Sequence, residues 1–137
     1  MTSGYSGTPL ARKLSLKDKM RVWWDGVPNG VRGEIRAGLE DQGAAIELLD
    51  IPKPPIDAAH IFVTARGELE AKLHLLMPLL APGGFIWVSW PKKAAKVETD
   101  VTEDTIRDVC LPMGLVDVKV CALDAVWSGL KLMRRRS

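Results

Sequence analysis

Short apolar runs alternate along the chain with stretches in which apolar residues recur every three or four positions. The runs predict strands and the wider spacing predicts amphipathic helices. Strands are predicted over 20–24, 45–49, 59–64, 85–90, 116–123 and 127–133. Thr8 as N-cap and Pro9 at the first helical position predict a short helix ending near Leu14. Val31, Ile35 and Leu39 line one face of a helix that stops at Gly43. Leu69, Leu73, Leu76 and Leu80 line the next, with Pro78 kinking its last turn. Thr102 caps a further helix, with Glu103 and Asp104 where carboxylates complement the helix dipole. Ile106, Val109, Cys110 and Met113 are its buried stripe, and Gly114 ends it.

Between residues 51 and 56, Pro52, Pro54 and Pro55 exclude a central strand, because proline donates nothing to a ladder. The last two strands are separated only by Asp124-Ala125-Val126, a joint that permits an antiparallel hairpin alone. Strands linked by helices are expected parallel, with right-handed crossovers. The expected fold is α/β: one Rossmann-like, doubly wound, mostly parallel six-stranded sheet in order 2-1-3-4-6-5 with an antiparallel C-terminal hairpin. A single domain spans 1–137, with an N-terminal segment over 1–19 and the Rossmann-like core over 20–134.

The leucine-rich helix runs through Pro82-Gly83-Gly84 into the apolar strand Phe85-Ile86-Trp87-Val88. The first strand ends in Asp25-Gly26, the second at Asp50, and the third opens Ile56-Asp57-Ala58-Ala59. With the terminal strand pair, this pattern resembles the class I S-adenosylmethionine-dependent methyltransferase fold. The resemblance implies that Asp50 would hold ribose hydroxyls. Two features depart from it. Val27 and Pro28 stand where that family's loop is glycine-rich for close approach to the cofactor, and a strand–helix pair is missing between Leu49 and Asp57. S-adenosylmethionine binding is accordingly expected to be weak or absent, and no cofactor is expected.

The opening Gly4-Tyr5-Ser6-Gly7-Thr8-Pro9-Leu10-Ala11-Arg12-Lys13-Leu14 and the closing stretch from Val116 through Asp117-Val118-Lys119-Val120-Cys121 to Trp127-Ser128-Gly129-Leu130-Lys131-Leu132 are distinctive. They resemble a family of small bacterial proteins described as a domain of unknown function. That resemblance spans the whole chain and implies no activity and no catalytic residues.

A net charge of +2 argues against nucleic acid as partner, and Arg134–Arg136 reads as a solvated tail. No apolar run approaches the ~20 residues of a membrane span, and no segment resembles a signal peptide, so a cytoplasmic location is expected. Cys110 and Cys121 lack metal or redox spacing and read as small core residues. His60 lies in an apolar strand and His74 beside a buried stripe, neither with a visible serine, cysteine or acid partner. No zinc spacing, Walker loop or paired-carboxylate motif is present, and no metal is expected.

Ligands of open α/β sheets bind outside the carboxyl ends of the strands, at the switch point. That edge is expected to collect Asp25 and Asn29 for hydrogen bonding, Trp90 for stacking and Lys92 for charge, with Asp50 beside them. Tyr5 and Ser6 are candidates for a lid over the same edge. A small anionic or planar ligand suits these residues. The leading functional expectation is a non-catalytic ligand- or partner-binding protein. The alternatives are a minimal S-adenosylmethionine-dependent methyltransferase with a degenerate loop, and a structural module whose tryptophans and hairpin edge form a homodimer surface.

Overall fold

The helical crossovers and the tight C-terminal joint dictate how the strands assemble. The computed structural model describes residues 8–136. In chain order the elements are α1 (Leu10–Lys13), β1 (Arg21–Asp25), α2 (Asn29–Asp41), β2 (Glu47–Leu48), β3 (Ile56–Phe62), α3 (Arg66–Leu76), β4 (Leu80–Pro91), α4 (Glu103–Cys110), β5 (Leu115–Ala122) and β6 (Trp127–Arg134). They form one six-stranded sheet in the order β2-β1-β3-β4-β6-β5. β1 pairs in parallel with β2 and β3, and β3 with β4, while β6 runs antiparallel to both β4 and β5. This is the topology expected from the sequence. Among the described residues no strand lies outside β2, which agrees with the missing strand–helix pair.

Strand alternation divides the core between the two faces. On one, Leu14, Val22, Val31, Ile35, Phe85 and Trp87 pack beneath α1 and α2. On the other, Ile61, Leu69, Leu73, Ile86 and Ile106 pack beneath α3 and α4. The paired tryptophans split accordingly, Trp24 and Trp87 to the first face and Trp23 and Trp90 to the second. The Trp87 indole N–H donates to the Leu14 carbonyl at 2.9 Å, fastening the segment after α1 to the sheet.

Pro82-Gly83-Gly84 falls inside β4 rather than before it. The register jumps there, with Ile56 opposite Leu80 but Ala58 opposite Phe85. The two glycines answer different needs. Gly83 has φ +78°, a conformation L side chains resist, with open space around it. At Gly84 a Cβ would lie 2.7 Å from the Ile56 carbonyl oxygen and 2.9 Å from that of Ala81. Glycine therefore lets β4 close against the start of β3.

Several element boundaries differ from expectation. Pro78 does not kink the helix: α3 ends at Leu76 and Pro78 sits in a 3-10 turn over Met77–Leu79. β2 shrinks to two residues because the sheet ends there and no outer strand extends its pairing. α1 starts at Leu10 with Pro9 in the N-cap position, displacing Thr8. The cap of α4 is as expected and stronger, since Thr102 and Thr105 form a reciprocal capping box.

Arg134 lies in β6 and its guanidinium donates to the Met77 and Leu80 carbonyls at 2.5 and 3.2 Å; Arg135 donates to Leu111 O at 3.1 Å. These exposed arginines thus bind nearby loops instead of trailing in solvent. Among the described residues no helix is long and apolar enough to cross a membrane.

Candidate functional site

At the carboxyl end of β1 the chain turns through Gly26, at φ +75°, into α2. Val27 is only 6% exposed and joins the core under α2, so the bulk of this loop faces inward. Pro28, not Asn29, occupies the N-cap, and it offers no side-chain cap. The first intrahelical bond of α2 runs from Arg32 N to Pro28 O at 2.9 Å. The amides of Asn29, Gly30 and Val31 therefore precede the hydrogen-bond ladder. No acidic side chain occupies this first turn, and a Cβ at Gly30 would meet nothing within 4 Å. The positive end of the helix dipole faces open space.

β2 lies alongside. Its pairing extends one step past Leu48, through Leu49 N to Val22 O at 2.8 Å, and Asp50 follows. Asp50 is exposed and makes no hydrogen bond or ion pair among the described residues. Ile51 next to it is 63% exposed. A carboxylate without a partner among the described residues and a bare apolar side chain thus follow β2 at the end of the sheet where α2 begins. A cavity of about 260 Å³ lies between α2 and β2, lined by Trp24, Arg36, Leu39, Ile46 and Leu48 among others. The Arg32 guanidinium stacks over the Trp24 ring at 5.1 Å.

Asp25 points to the opposite face, where Lys72 of α3 pairs with it and also with Glu68 at 2.9 Å. Partial burial works to lower the Lys72 ammonium. Its hydrogen bonds to Asp25 and Glu68 outweigh that, so the group is held above its ordinary range. The same bond to Lys72 draws the Glu68 carboxyl below its own. Asp57 lies at the far end of the sheet and accepts from Arg21 N at 2.8 Å, which makes it part of the β1–β3 junction.

Two strands from β1, or about 10 Å at ordinary strand spacing, β4 ends in Trp90 and Pro91. The loop that follows bounds a cavity of about 500 Å³ with Trp90, Lys92, Lys93, Val97, Thr99 and Val101 in its wall. Lys92 is doubly tethered, by its backbone N–H to Val126 O and by its ammonium to Asp124 O, each at 2.7 Å. The Thr99 hydroxyl donates to Thr64 O at 2.7 Å, and Arg66 N donates to Asp100 Oδ1 at 2.8 Å. The cavity wall is thereby locked to the loop after β3, in the middle of the carboxyl edge.

The sequence-predicted residues thus separate into two groups. Asn29 and Asp50 stand at the β1–β2 mouth, while Trp90 and Lys92 border the cavity beyond β4. Asp25 lies on the α3 side of the sheet, engaged by Lys72. Tyr5 and Ser6 fall outside the described residues. Lys72 was missed, since its only sequence signal is the i,i+4 spacing from Glu68. Ile51 was missed because an apolar residue before a proline reads as connector.

The expectation that His60 lacks a partner is also corrected: its Nε2 lies 2.7 Å from Ser89 Oγ. Their positions twenty-nine residues apart on separate strands gave no clue to the contact. Both side chains are sealed in the sheet, and burial pushes the imidazole down to about 3, which unfits it as a base near neutrality. Cys110 and Cys121 are buried, with burial raising both thiols, Cys110 to about 11. Among the described residues no group of three His, Cys, Asp or Glu side chains is placed to hold a metal ion.

No family model and no curated protein matches the chain. Solved structures do. A methyltransferase from Streptomyces caelestis, CcbJ, superposes with TM-score 0.61 at 10% identity, covering 93% of this chain and 90% of that one. The ribosomal protein L11 methylase of Lactobacillus delbrueckii subsp. bulgaricus gives 0.59 at 12% identity, over 93% and 76%. A SAM-dependent methyltransferase from Aquifex aeolicus gives 0.58 at 16%, over 90% and 86%.

These neighbours overturn two expectations, the preference for a non-catalytic protein and the expectation of no cofactor. Both had rested on Val27 and Pro28 in the first loop and on the missing strand–helix pair after Leu49. The fold instead turns Val27 into the core and spends Pro28 on the N-cap of α2. The chain has the class I S-adenosylmethionine-dependent methyltransferase fold, in a form that ends at β2 on one side.

Proposed function

We propose that the chain binds S-adenosylmethionine at the β1–β2 mouth and transfers its methyl group to a small acceptor. The observation that carries this reading is the exposed Asp50–Ile51 pair, at the same sheet end as the N-terminus of α2, which has no side-chain cap, on a methyltransferase fold. The residues fit the cofactor chemically. Asp50 can accept hydrogen bonds from a ribose diol. Ile51 offers an apolar plate to one face of a base. The free amides of Asn29, Gly30 and Val31 suit an amino-acid carboxylate.

When bound, the cofactor supplies a methyl group activated by its attachment to a sulfonium. The protein's own part is positioning. Lys72 holds Asp25 in place from the α3 side, which keeps the carboxyl end of β1 fixed where the two halves of the edge meet. Thr99 and Asp100 hold the loop after β3, so the space between mouth and cavity has rigid walls.

Calorimetric titration with S-adenosylmethionine and S-adenosylhomocysteine tests the reading. Micromolar affinity, about −8 kcal/mol, is expected in the wild type, with roughly a tenfold loss in Asp50→Ala. No heat at millimolar ligand, or an Asp50→Ala variant that binds like wild type, would sink it.

A further inference from the structure

We infer that the cavity beyond β4 takes a planar organic anion, an aromatic carboxylate, as the molecule to be methylated. This deepens the function proposed above and rests on it for the word methylated; the binding site itself stands on its own geometry. The volume of about 500 Å³ suits a small molecule. Its walls are apolar on two sides: Trp90, with 8% of its surface open, and Pro91 come from β4, while Val97 and Val101 come from the loop that follows. Val97 is 43% exposed, a large apolar side chain at the rim.

Charge in the cavity runs one way. Its one carboxylate, Glu103, is paired with Arg107 of the same helix, which Asp104 and Asp117 share, against the two ammonium groups of Lys92 and Lys93. Lys92 spends a hydrogen bond on Asp124 O but keeps its charge. The Lys93 ammonium makes no hydrogen bond or ion pair among the described residues. An aromatic plate, aliphatic walls and an unspent ammonium recognise a flat apolar body carrying a negative group.

Among the described residues that line the cavity there is no histidine and no carboxylate without a partner. His60 is sealed in the sheet and His74 lies in the last turn of α3. Asp25 is held by Lys72, and Glu103 by Arg107. An acceptor that had to lose a proton would find no free base beside the cavity among these groups. A carboxylate needs none. Its oxygen forms the new bond to the methyl carbon, the carbon–sulfur bond breaks, and that electron pair stays on sulfur as the sulfonium becomes a neutral thioether. No proton moves.

The test uses the full chain and two probes of matched shape, 2-naphthoate and neutral 2-naphthylmethanol, followed by saturation-transfer NMR and calorimetry without cofactor. Naphthoate is expected to bind about tenfold tighter than the alcohol. Lys93→Gln should bring the two within about twofold. Val97→Asp, at an exposed position, should weaken naphthoate by roughly tenfold or more through like charge and lost apolar contact. Equal affinity of the two probes in the wild type, no binding of either, or a preference that survives Lys93→Gln would overturn the site. S-adenosylhomocysteine is titrated in parallel. Naphthoate binding without it sinks the cofactor reading and leaves the anion site; its binding without naphthoate does the reverse.

Discussion

His60 on β3 and Ser89 on β4 share a hydrogen bond of 2.7 Å inside the sheet, with 3% and 0% of their surfaces exposed. His60 also stacks on Phe62 at a centroid distance of 4.6 Å, and Phe62 meets Trp127 edge-on at 5.0 Å. The pair is a polar weld in the middle of an apolar layer. Satisfied, it specifies how β3 and β4 pack; broken on one side, it leaves a buried polar group exposed to no solvent and no partner.

That burial makes the protein acid-labile in a defined window. The imidazole is pushed from 6.5 down to about 3 in the folded chain, so between these pH values the unfolded chain binds the extra proton. Stability is complete above 6.5 and falls as pH drops toward 3, by an amount on the order of 4 kcal/mol at the acid end. His60→Phe combined with Ser89→Ala removes donor and acceptor together. Urea denaturation from pH 7 to pH 4 should show a flatter decline in the double variant; parallel declines would refute the assignment.

The two glycines of the β4 turn separate strain from collision. Gly84→Ala places a Cβ against two backbone oxygens, neither of which can swing away, and should destabilise by about 3 kcal/mol. Gly83→Ala meets no atom and carries only the positive-φ penalty, about 1 kcal/mol. Chemical denaturation of both variants checks the ranking. The reverse order would mean that β4 does not close against Ile56 as described.

Those glycines also show what could be read from the chain in advance. Pro82-Gly83-Gly84, the three-residue joint before Trp127 and the Thr102 cap are local signals, each acting through its own backbone geometry, and they carried the topology. The candidate site is not local. Whether Val27 points at a ligand or into the core depends on where α2 lands on the sheet. The Asp25–Lys72 pair joins a strand end to a helix through a crossover, and His60 meets Ser89 only because β3 and β4 are neighbours. Asp50 was visible as an acid closing a strand, but its freedom from partners was not.

Lys119 and Lys131 stand directly opposite each other on β5 and β6, an arrangement that repels. Lys131 is half-buried, with its ammonium 4.4 Å from the Phe85 centroid and 3.0 Å from Ser15 Oγ. Burial lowers it first, and the charges of Lys119 and Lys17 add to that. A base lowered by folding is a penalty while charged, present at neutral pH and relieved as pH rises through its folded value. Lys119→Glu should therefore raise stability by about 0.5 kcal/mol at low salt, less the hydrogen bond Lys119 gives to Lys13 O. Thermal melts at low and high ionic strength should show the gain shrinking with salt. A gain that does not depend on salt would rule out repulsion as its source.

Asp25 and Asp50 close adjacent strands, yet they should fail in different assays. Asp50 has no partner to lose among the described residues, so Asp50→Ala should leave the melting temperature unchanged while weakening cofactor affinity. Asp25 is bound to Lys72, with 31% and 23% of the two side chains exposed. A pair this open to solvent contributes only about 0.5–1 kcal/mol. Asp25→Asn should lower stability by about that much, and in a double-mutant cycle with Lys72→Met the coupling should equal it. The cycle also reports on Glu68, the second partner of Lys72. If Asp25→Asn costs stability equally with and without Lys72, the ammonium is held by Glu68 alone and the carboxyl end of β1 is not pinned to α3.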